Sequence, residues 1–67
     1  MLSEARLRLE RALAELSEDH REIILLRRYQ ELGFKDIGER LGKSPDACRM
    51  LLARAMTALT LKMRESP

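Results

Sequence analysis

The sequence predicts an all-α domain of four helices, the last two joined as a C-terminal helix-turn-helix. Apolar residues recur at three- and four-residue steps through most of the chain. Glycine is confined to positions 33, 38 and 42 and proline to 45 and 67, so nothing breaks the chain before residue 32. β-Branched residues are too few to furnish a sheet. Sixty-seven residues suffice for one domain, and a chain this short buries only about 60% of its unfolded surface.

The first helix is expected over residues 3–15, with Leu2, Ala5, Leu9, Ala12, Leu13 and Leu16 on its apolar face and Arg6, Arg8, Arg11 and Glu15 pointing away. Ser17 is positioned to cap a second helix, residues 18–31, with Glu18 and Asp19 where the helix dipole favours acids. Its centre, Ile23-Ile24-Leu25-Leu26, is apolar through a full turn and should be surrounded by the other helices. The third helix, residues 34–41, presents Phe34, Ile37 and Leu41, with Gly33 as N-cap and Gly38 placed for close approach of a neighbouring helix.

Gly42 can end that helix left-handed, Ser44 can cap the next, and Pro45 suits its first position, where a missing N–H is no loss. The fourth helix is expected over residues 45–62, turning polar at Lys62 to Glu65 and fraying at Pro67. Its wheel sets Cys48, Leu52, Ala55 and Leu59, flanked by Ala47, Leu51 and Ala58, against the core. Asp46, Arg49, Met50, Ala53 and Thr57 face the other way, with Arg54 and Met56 at the margins.

Two helices joined by a short glycine-containing turn can present the second to a DNA major groove while the first braces it. On that footing Arg49 is the candidate for guanine O6 and N7, Met50 and Ala53 for a thymine methyl, and Arg54 for a base or a phosphate. Asp46 would repel a phosphate or accept from a cytosine amine. Lys35, Arg40, Lys43 and Ser44 surround the turn as phosphate contacts.

Composition narrows the other classes. Thirteen Lys and Arg against eleven Asp and Glu leave a net charge of +2, which permits nucleic-acid binding without demanding it. His20 has neither a second metal ligand nor a nucleophile beside it, and Cys48 reads as a small core residue rather than a reactive thiol. No cluster of polar groups suggests catalysis, a metal or a cofactor. Tyr29 reads as a packing residue, and with no signal peptide or membrane span the expected location is the cytoplasm.

The segment from Leu32 to Leu59, with its Phe34-x-x-Ile37-Gly38-x-x-Leu41-Gly42 brace and Arg54-Ala55, resembles region four of bacterial extracytoplasmic-function sigma factors. The run from Ala14 to Tyr29, ending in Arg27-Arg28, resembles the same family's preceding helix. The resemblance implies a winged-helix-like region-four domain that reads the minus-thirty-five promoter element and docks on the β flap of RNA polymerase. It places Arg49, Met50 and Arg54 at bases or adjacent phosphates and Ser44 at the recognition-helix cap. Where the family commonly carries basic and small polar residues, this chain has Met50, Leu51, Ala53, Met56 and Thr57. Nothing resembles the family's region two, so the expectation is an isolated domain holding half of the promoter contact.

Two other readings stand beside it. A response-regulator DNA-binding domain would share the four helices but dimerise through the last. A protein-interaction module would expose a strip including Met50, Leu51, Met56 and Met63 to an anti-sigma factor or a second copy.

Overall fold

The computed structural model describes residues 3–65, and Leu2 and Pro67, named above, lie outside them. Helix α1 spans Glu4–Glu15 and starts at Ser3, whose Oγ accepts the Arg6 N–H at 3.2 Å. It buries Ala12 and Leu13, while Ala5, expected on that face, is exposed. Arg8 does not point away. It is half-buried, and Nη2 reaches the Met63 carbonyl at 3.5 Å, at the far end of the chain.

Helix α2, Glu18–Ile24, begins at Ser17, but that hydroxyl donates to Asp19 Oδ1 at 2.7 Å instead of accepting a backbone N–H. The same carboxylate oxygen accepts the His20 N–H at 3.0 Å, so the side chain that closes this turn is Asp19. The helix widens into a π-helical turn, Leu25–Tyr29, with Gln30 N–H bonded to the Leu25 carbonyl at 3.0 Å. This rotates the end of α2. Ile23, Ile24 and Leu26 are buried, but Leu25 is 38% exposed and Tyr29 56%, so neither the all-round burial nor the packed tyrosine holds. Glu31, at φ 57°, then reverses the chain, and Leu32 N–H closes on the Leu26 carbonyl at 3.1 Å.

Helix α3, Phe34–Leu41, is capped by extended Gly33 and ends at Gly42, at φ 67°. Lys43 N–H bonds to the Gly38 carbonyl at 2.9 Å, which folds the turn back on the helix. A Cβ at Gly38 would overlap the Lys43 carbonyl oxygen, so the close approach there is by the turn and not by another helix. Helix α4, Pro45–Glu65, starts under Ser44, whose Oγ accepts the Ala47 N–H at 3.1 Å.

α4 is the common partner of α1, α2 and α3. The core comprises Leu13, Leu16, Ile23, Ile24, Leu26, Ile37 and Leu59 with Ala12, Cys48 and Ala55. Ile23 and Ile37 are fully buried, each contributing about 1.5–3 kcal/mol by removal from water. Among the described residues there is no strand, and no helix is long and apolar enough to cross a membrane.

Candidate nucleic-acid interface

α3, the Gly42–Ser44 turn and the first half of α4 share one surface, because Gly42 and the Ser44 cap fix the direction in which α4 leaves. Arg49, Met50, Ala53 and Arg54 are all exposed there, Met50 at 58%. Lys35, Arg40, Lys43 and Ser44 are exposed around the turn. The Ser44 oxygen is committed to Ala47, which leaves its hydroxyl hydrogen for an acceptor. Thr57, further along the face, donates to the Ala53 carbonyl at 3.1 Å.

Among the described residues the ion pairs are Arg6–Glu10, Asp46–Arg49 and Lys62–Glu65, so Lys35, Arg40, Lys43 and Arg54 belong to none of them. Arg49 is held differently. Its Nη1 donates to Asp46 Oδ1, and its guanidinium carbon lies 5.2 Å from the centre of the Phe34 ring. Arg27 lies 5.0 Å from the same ring and donates to the Leu32 carbonyl at 3.2 Å.

The flanks of this surface differ in sign. Beyond the turn, Lys43 borders a groove of about 400 Å³ whose α2 wall is Glu18, Asp19 and Glu22. At the α2–α3 junction a cleft of about 480 Å³ is lined by Arg27, Arg28, Glu31, Phe34 and Leu52. A polyanion lying across α4 is therefore repelled at the first flank and drawn to the second. The apolar strip proposed for a protein partner breaks up. Met50 alone of its members is strongly exposed, while Leu51, Met56 and Met63 pack against the core.

The family described as sigma-70, region 4 matches residues 6–59. The chain belongs to that family. It is thus a helix-turn-helix DNA-binding domain of a sigma factor, acting in promoter recognition for transcription with RNA polymerase, and not an enzyme. Neither the curated proteins nor the solved structures give a match.

Sequence reading of this region 4 domain missed three participants. Phe34 was placed only in the brace, yet its ring underlies Arg49. Asp46 was weighed against DNA, yet its partner is the arginine one turn on, an i,i+3 spacing that could have shown it. Arg27 was left at a helix end, and nothing local to it signals the Phe34 contact.

Proposed function

We propose that this region 4 domain reads the minus-thirty-five element through α4 and docks on the β flap of the core polymerase. Arg49, Met50, Ala53 and Arg54 contact bases, and Lys35, Arg40, Lys43 and Ser44 hold phosphates. The observation that carries the reading is the exposure of Lys35, Arg40, Lys43 and Arg54, none of them in an ion pair, on α3, the turn and the first half of α4, with Arg49 fixed among them. The extracytoplasmic-function subtype rests on the resemblance of the Leu32–Leu59 segment.

Docking on the flap is supported by an apolar groove of about 170 Å³ between α1, α2 and α4, lined by Leu9, Leu13, Ile24, Tyr29, Met56 and Leu59 with Arg28. It lies on the core side of α4, so DNA and polymerase do not compete for it. A second reading has a separate support. Ala53, Arg54, Thr57, Ala58 and Leu61 form a shallow, mostly apolar groove with Leu61 52% exposed. An anti-sigma factor seated there would cover Ala53 and Arg54 and block reading.

Selection of bound sequences from a random DNA pool, followed by titration of the selected duplex, tests the proposal. Neutralising three to five phosphates gives a log–log salt slope of about −2.7 to −4.5. Arg49→Ala should weaken binding by about 1–3 kcal/mol and relax one base position. Salt-insensitive binding unchanged by Arg49→Ala would refute it.

A further inference from the structure

We propose that Asp46 and Phe34 are positioning residues for Arg49, holding its guanidinium so that one edge reads a base while its charge is kept off the phosphates. This deepens the promoter-recognition reading and rests on it.

Three elements converge on one side chain. Asp46 stands one helical turn before Arg49 and accepts from Nη1. Phe34 comes from α3 and meets the guanidinium 5.2 Å from its ring centre. Arg27, from the end of α2, is tied to the Leu32 carbonyl and packs on the same ring, which fixes the ring from the other side of the junction. The Asp46 side chain is 89% exposed, so its carboxylate has no part in the core.

A guanidinium carries five N–H donors in one plane. With the guanidinium carbon over the Phe34 ring and Asp46 on Nη1, Nη2 and Nε remain, and two adjacent donors match guanine O6 and N7. The neighbouring carboxylate cancels the arginine's charge at longer range. A phosphate meets a nearly neutral pair, whereas the uncharged acceptors of a base lose much less. Asp46 therefore lowers affinity for any duplex and raises discrimination between duplexes. Phe34 acts on discrimination alone, by holding the plane in one orientation before DNA arrives.

The test uses the 67-residue chain, the duplex selected from a random pool, and a duplex with the same hexamer scrambled. Asp46→Asn should tighten binding to the scrambled duplex about 3- to 10-fold at low salt and steepen its salt dependence. It should lower the ratio of selected to scrambled affinity about tenfold. Phe34→Leu should lower the ratio while leaving scrambled affinity unchanged. In an Arg49→Lys background, Asp46→Asn should no longer alter the ratio, because lysine has no plane to orient. Because Asp46 is exposed, Asp46→Asn should lose only a first-turn charge and remain folded, as its melt would show, so its result stands even if Phe34→Leu loosens the fold.

An unchanged ratio in Asp46→Asn, or the same change with Lys at 49, overturns the positioning role and leaves promoter reading intact. A parent chain that prefers no sequence overturns promoter reading itself, and this role with it.

Discussion

The two turns that flank α3 solve the same problem with different residues. Each reverses the chain through one left-handed residue and closes it with a backbone bond reaching five or six residues back: Lys43 to Gly38 after α3, Leu32 to Leu26 after α2. After α3 the left-handed residue is Gly42, which adopts φ 67° without penalty. After α2 it is Glu31 at φ 57°, which costs about 1–2 kcal/mol for a residue with a Cβ. The unstrained turn aims α4. The strained one lies at the cleft where Arg27 and Phe34 meet, so local strain is tolerated where tertiary contacts hold the junction.

The largest break in this comparison should come at Gly38. A Cβ there meets backbone rather than a movable side chain. Gly38→Val should therefore destabilise the domain by about 1–3 kcal/mol, seen as a lower denaturant midpoint with unchanged slope. Because the displaced group is the Lys43 carbonyl, DNA binding should fall further than the unfolded fraction explains. A variant with parental affinity after correction for folding would show that the turn does not set the α4 direction.

Next come the left-handed residues themselves. Gly42→Ala should destabilise by about 1 kcal/mol, since alanine has space around it but the wrong φ preference. Glu31→Gly should do the opposite, raising stability by about 0.5–1 kcal/mol, the strain relief less the extra freedom glycine has when unfolded. Thermal melts of the two variants should move in opposite directions. If both fall, Glu31 is making contacts that outweigh its backbone strain.

The contrast also explains what could be read from the chain. Gly42, Ser44 and Pro45 announce the helix-turn-helix because each acts through its own backbone and its near neighbours. Ile23, Ile37 and Cys48 follow from periodicity, and the exposed face of α4 from the same wheel. Glu31 has no conformational signature, and Gly33 two residues on drew the end of α2 towards it although its own φ is an extended −71°. The π-helical turn from Leu25 to Tyr29 has no local signal either. At the interface, candidates chosen by exposure were legible one by one. Contacts from Phe34 to Arg49 and from Arg8 to Met63 join residues 15 and 55 positions apart, and only the packed core brings them together.

The α1–α2 turn sharpens the comparison from a third side, and its effect should be the smallest. It has no left-handed residue and is closed by a side chain, Asp19, which accepts from the Ser17 hydroxyl and the His20 N–H. The Ser17 bond, aided by that N–H and the nearby His20, holds the Asp19 carboxyl below its ordinary 3.8. A lowered folded value means that the unfolded chain binds the proton first. The stabilisation is therefore complete above the ordinary carboxylate range and disappears as pH falls through the lowered value. Melting temperatures of the parent and Asp19→Asn, followed from pH 6 to pH 2, should converge as the acid limb is reached. The backbone-closed turns should show no such limb, so the gap between Gly42→Ala, which removes no titratable group, and the parent should stay constant over the range in which the Asp19→Asn gap closes. A gap for Asp19→Asn that persists at pH 2 would mean that the carboxylate's charge is not what closes the turn.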